Sequence, residues 1–84
     1  MQKLIIRGDP GIRKGARIEY EGREFVCFGI NREWEWNGPE EVQLWCTVGN
    51  PDELETYERR EYIPMHLDVE SADAEDITVL EAAA

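Results

Sequence analysis

The sequence predicts a small all-β domain, a barrel or sandwich of short strands. Turn-forming residues recur at close and even spacing, at "GDPG" 8–11, "EG" 21–22, "NGP" 37–39, "GNPD" 49–52 and Pro64. Between them lie short runs rich in Ile, Val, Phe, Trp and Tyr, side chains that suit a pleated, half-buried surface. At 84 residues there is room for one core only, and a hydrophobic content of 42% is enough to build it.

Each run can be justified in turn. Lys3 to Arg7 is a short first strand. Ala16 to Tyr20 alternates, with Ala16, Ile18 and Tyr20 on one face and Arg17 and Glu19 on the other. Glu21-Gly22 turns the chain into Glu24 to Ile30, which is apolar on both faces: Phe25 and Cys27 on one, Val26, Phe28 and Ile30 on the other. A strand buried on two sides is central or curls across a barrel, and Gly29 within it predicts a bulge or sharp bend. Val42 to Val48 points Val42, Leu44, Cys46 and Val48 inward and Gln43, Trp45 and Thr47 outward. Glu55 to Tyr62 is expected as the next strand, and "IPMHL" as a 3₁₀ turn around Pro64. In "DVESADAEDITVLEAAA", a short helix at "SADAED" capped by Ser71 is one reading. Ile77 to Leu80 is expected as a strand pairing with Leu4 to Ile6, which brings Lys3 and Arg7 near acidic side chains. The chain is one domain, 1–84, with a barrel core over about 12–70 and an acidic C-terminal segment over 68–84.

The formal charge is −10, and it is unevenly spread. Residues 1–32 carry seven basic and four acidic side chains; residues 33–84 carry two basic and fifteen acidic. Most of this surface repels a phosphate backbone, so the expected partner is a basic protein or basic peptide surface rather than nucleic acid directly. The plainer reading of the charge is solubility. No leader precedes the fold and no apolar run approaches the ~20 residues of a membrane span, so a cytoplasmic chain without membrane contact is expected. Cys27 and Cys46 sit in apolar strands and read as small buried hydrophobes rather than a disulfide.

Taken together, "KGARIEYEGREFVCFGI", then "VQLWCTVGNPDE", then "YIPMHL" resemble an SH3-like β-barrel over Gly15 to Glu70. "REYIPMHLDVE" is similar to the Ile-Pro-containing close of SH3 domains. The resemblance implies five to six short antiparallel strands, here with an added terminal strand pair. The acidic-aromatic opening and the paired tryptophans of the peptide-binding SH3 domains are absent, so that chemistry does not carry over. SH3-like barrels bind proteins, RNA, DNA or methylated lysine, and the fold leaves function open.

Trp34 and Trp36 share one face of an extended chain, beside the Asn37-Gly38-Pro39 turn, and Glu33 and Glu35 share the other. The plain reading is a lid over the open end of the barrel. The functional reading is a landing site for a cationic residue, with Glu40, Glu41 and the outward Trp45 extending it. Asp52, Glu53 and Glu55 add an acidic face. "DELE" lacks the spacing of a calcium loop, and His66 is the only histidine, so neither a histidine-based triad nor a histidine pair for zinc exists. "GDPGIRKG" lacks the ending of a phosphate loop. No catalytic residue, cofactor or metal is expected.

The expected function is a non-catalytic protein-binding module that engages a basic partner through the Trp hairpin and acidic face. One alternative is a nucleic-acid mimic that occupies a basic cleft, as a phage or mobile-element inhibitor would; size and charge alone suggest it. Another is direct nucleic-acid binding through Arg7, Arg13, Lys14, Arg17, Arg23 and Arg32.

Overall fold

A computed structural model describes residues 1–34 and 42–82, with Glu33 and Trp34 described in their backbone only. Six strands form one mixed sheet: β1 (Gln2–Arg7), β2 (Arg17–Tyr20), β3 (Arg23–Trp34), β4 (Val42–Gly49), β5 (Val69–Asp73) and β6 (Thr78–Glu81). Their order across the sheet is β5-β1-β4-β3-β2-β6. The sheet curls into a half-barrel. The curl brings the start of β3 and the end of β2 to β5, three and four positions away in the order. There the Tyr20 hydroxyl donates to the Ser71 carbonyl at 3.4 Å, and Arg23 pairs with Glu70 at 2.8 Å.

The concave face holds the core. Period-two alternation delivers Leu4 and Ile6 from β1, Ile18 and Tyr20 from β2, and Leu44, Cys46 and Val48 from β4. Ile12, Ala16, Cys27, Ala72 and Ile77 complete it. The β2–β3 hairpin turns through Glu21 and Gly22, both at positive φ (52° and 76°), the twist a two-residue hairpin needs.

The expected distortion at Gly29 is present. The β3–β4 register shifts between Cys27 and Gly29, and the extra residue changes which face the following side chains take. Phe28 therefore lies on the convex side, while Ile30, opposite Cys46, packs on the core with Cys27. The expectation that Ile30 shares a face with Phe28 is corrected by this bulge. Phe28 is nevertheless buried, because a short helix covers it. Helix α1 (Leu54–Glu58) lays Tyr57 over the Phe28 ring with centroids 5.5 Å apart, and Tyr62 stacks on Tyr57 at 5.8 Å.

Three further expectations are corrected. Glu55 to Tyr62 is α1 and a turn, not a strand. Asn50-Pro51 starts it: Pro51 presets the first turn, and the Asn50 N–H donates to the Glu53 carboxylate at 2.9 Å. "SADAED" is not a helix: Ser71–Asp73 belong to β5, and only Ala74–Asp76 turn as 3₁₀. The last strand pairs with β2 rather than with Leu4–Ile6. Strand β1 instead lies between β4 and β5, and its pairing with β5 is parallel. Arg7 still meets an acidic side chain, because it stands opposite Asp73 and pairs with it at 2.8 Å. The 3₁₀ turn at Pro64–His66 is as expected. No described helix is long and apolar enough to cross a membrane.

Candidate functional site

The convex face of the sheet is the open one. Its central row runs Ser71, Ile5, Trp45, Asn31 across β5, β1, β4 and β3, with Val69, Lys3, Thr47 and Gly29 in the next row. Trp45 points outward because its neighbours Leu44 and Cys46 must point into the core. It is 42% exposed, and its indole N–H donates to Gln43 Oε1 at 3.2 Å. Ile5 is half-buried beside it, and Val69 is 56% exposed one row over. A large indole is thus left in water at the middle of a sheet, in a chain too small to waste apolar area.

On the far side of Trp45 lies an open cleft of about 660 Å³. Its walls are Ile12, Arg13 and Lys14 from the loop before β2, the stretch Gly29 to Arg32 of β3, Trp45 and Thr47 of β4, and Tyr57 of α1. Gly29 forms part of the floor, and a Cβ there would run into the Tyr57 hydroxyl. Asp9 fixes the loop. It accepts the Gly11 N–H at 2.9 Å and pairs with Arg32 at 2.7 Å. The Gly11 hydrogen bond first, then Arg32 and Arg13, hold its carboxyl below the usual range.

The sequence-derived site residues are not all brought together. Glu35, Trp36, Glu40 and Glu41 lie outside the described residues, and Glu33 and Trp34 stand on β3 opposite Gln43 and Val42. Asp52 is exposed on the turn before α1, with no described partner. Glu53 is held by the Met1 ammonium at 2.6 Å and the Asn50 N–H, contacts that lower its pKa. Glu55 pairs with Arg59 at 2.6 Å. Trp45, expected among carboxylates, has Arg13, Lys14 and Arg32 across the cleft instead.

The six cations named for direct nucleic-acid binding divide in the same way. Arg7, Arg17, Arg23 and Arg32 are each in an ion pair, whereas Arg13 and Lys14 are in none among the described residues. Sequence reasoning did not single out Asn31, Ile12 or Tyr57 as cleft residues. The one available signal was Gly29 within a strand, which can mark a close approach by another group.

Among the described residues no cluster of His, Cys, Asp and Glu could hold a metal ion. Cys27 and Cys46 are free and buried. The hydrogen bond with Cys27, then burial, pushes the Cys46 thiol up, opposite to what a nucleophile needs.

No curated protein and no solved structure matches the chain. A family model matches residues 1–81, and the chain belongs to that family, the family of unknown function DUF7098.

Proposed function

We propose that the protein is a small, non-catalytic protein-binding module that engages a basic partner surface with the convex face of its sheet. The scaffold reads as an SH3-like barrel. A tight turn into a long bent strand, and a Pro-containing 3₁₀ turn before the next strand, support that reading.

Trp45 carries the proposal. An exposed indole flanked by Ile5 and near Val69 has the make-up of an interface centre, where buried aromatic area supplies most of the affinity. The sign of the partner follows from the carboxylates left over after ion pairing. Asp52, Glu58, Asp68, Glu75 and Asp76 are exposed and in no ion pair among the described residues. Their field attracts a basic surface and speeds its approach.

The test is capture of partners from nuclease-treated host lysate on the native protein, on Trp45→Ala and on Val69→Ser. Because Trp45 is exposed, Trp45→Ala should cost under about 1 kcal/mol of stability. It should weaken a specific partner by ~2 kcal/mol or more, and added salt should weaken it further. A partner held equally well by Trp45→Ala would refute the convex-face reading. Competition by duplex DNA for the captured protein separates ordinary docking from nucleic-acid mimicry.

A further inference from the structure

Strand β3 is longer than the strand beside it. β2 pairs with it only as far as Val26. The backbone of residues 15 and 16 extends the contact by one position: Gly15 N–H donates to the Cys27 carbonyl at 2.7 Å, and Cys27 N–H to the Ala16 carbonyl at 2.9 Å. From Gly29 to Arg32, β3 pairs with β4 on one side and with no described strand on the other. Alternate N–H and C=O groups there form an open edge, a ready template for another strand.

That edge borders the cleft. Facing it is the loop carrying Arg13 and Lys14, which make no ion pair among the described residues, while Arg32 is balanced by Asp9. The cleft is therefore locally positive in a protein of net charge −10. Trp45 and Tyr57 supply apolar surface at its side.

We infer that this cleft takes an extended acidic peptide segment of a partner, which adds a strand to the free edge of β3. Its backbone bonds to the Gly29–Arg32 edge, its carboxylates meet Arg13 and Lys14, and an apolar side chain rests against Trp45 and Tyr57. This is the β-addition mode of recognition: main-chain bonds supply affinity and alternate side chains supply specificity. A nucleic-acid strand fits less well. Its affinity scales with the number of phosphates neutralised, and the two cations at this cleft that make no ion pair among the described residues offer few. The occupant differs in charge from the partner of the convex face; the two sites overlap at Gly29, Asn31, Trp45 and Thr47, whereas Ile5 and Val69 belong to the convex face only.

The experiment is selection of a random dodecapeptide display library on the full chain. The expected winners alternate Asp or Glu with apolar residues. The best of them should shift the amide resonances of Gly29 to Arg32 and the Trp45 indole N–H. Its affinity should fall at least tenfold on Arg13→Glu/Lys14→Glu, and in the same direction on Arg13→Gln/Lys14→Gln, which removes both positive charges without reversing them. Methylating alternate backbone nitrogens of the peptide should also weaken it at least tenfold. Val69→Ser, which tests the convex face, should leave it unchanged. Absence of enrichment, winners without acidic bias, or affinity indifferent to Arg13 and Lys14 would each overturn the inference. So would a thymidine hexanucleotide that binds the cleft more tightly than the best peptide.

Discussion

Gly29→Ala and Tyr57→Phe, made singly and together, test whether α1 caps the bulge. Gly29 is not at positive φ, so its backbone accepts alanine without strain. Replacing glycine there should by itself stabilise by about 0.4–1 kcal/mol, through the unfolded chain. The new Cβ, however, runs into the Tyr57 hydroxyl, with Cζ next at 3.3 Å. Forcing a methyl into packed space costs about 1–3 kcal/mol. The single substitution should therefore destabilise by roughly 1–2 kcal/mol net. The Tyr57 hydroxyl makes no side-chain hydrogen bond among the described residues, and Tyr57→Phe should cost within about 0.5 kcal/mol. In that background the atom in the way is gone, and only the tight Cζ contact remains. Gly29→Ala should become neutral or slightly stabilising, a coupling on the order of 1–2 kcal/mol. Urea denaturation followed by tryptophan fluorescence measures all four stabilities, and unchanged m-values guard the comparison. Additivity within about 0.5 kcal/mol would show that Tyr57 does not lie over Gly29.

Two further outcomes follow from the buried thiols and the loop carboxylate. Cys27 and Cys46 are 0% and 1% exposed, so a disulfide reagent should label them about 10³-fold more slowly in the native protein than in urea; rapid native labelling of either would disprove their burial. Asp9 is held below its ordinary 3.8, so its stabilisation is complete above that value and is lost as pH falls through the lower folded value; an Asp9 carboxyl midpoint at or above 3.8 by NMR would remove the Gly11 and Arg32 contacts from the account.

What could be read from the chain depended on whether its cause was local. Ala16 to Tyr20 and Val42 to Val48 were legible because a strand with one wet face writes a period of two. The bulge at Gly29 was legible as a glycine in a strand; its effect on Ile30 was not, because adding one residue inverts every face after it. Tyr57 and Tyr62 are five apart, an odd spacing that sets them on opposite faces of any strand, yet here they stack. The helical turn was not legible in the chain: Glu55 to Tyr62 reads as a strand, and Asn50-Pro51 upstream only as a turn. "VESAD" has little intrinsic strand preference and becomes β5 because β1 offers it an edge, a cause lying far away in sequence. The outward Trp45 followed from alternation alone. The cleft did not, since its walls come from separated segments around 12–14, 29–32, 45–47 and 57.

The placement of β1 has a kinetic consequence. Lys3 pairs with Thr47 on one side and with Val69 on the other, so the earliest of the six strands in sequence is the one that waits longest for neighbours. The β2–β3 hairpin can close on its own within roughly 1–10 μs, because its partners are adjacent in the chain. Locking β1 between β4 and β5 needs nearly the whole chain to be present, and such non-local pairing puts folding in the ~ms to s range. Until then the sequence Leu4-Ile5-Ile6 is exposed with both edges unpaired. The flanking Lys3 and Arg7 place a charge at either end of that run and oppose its pairing with a second nascent chain.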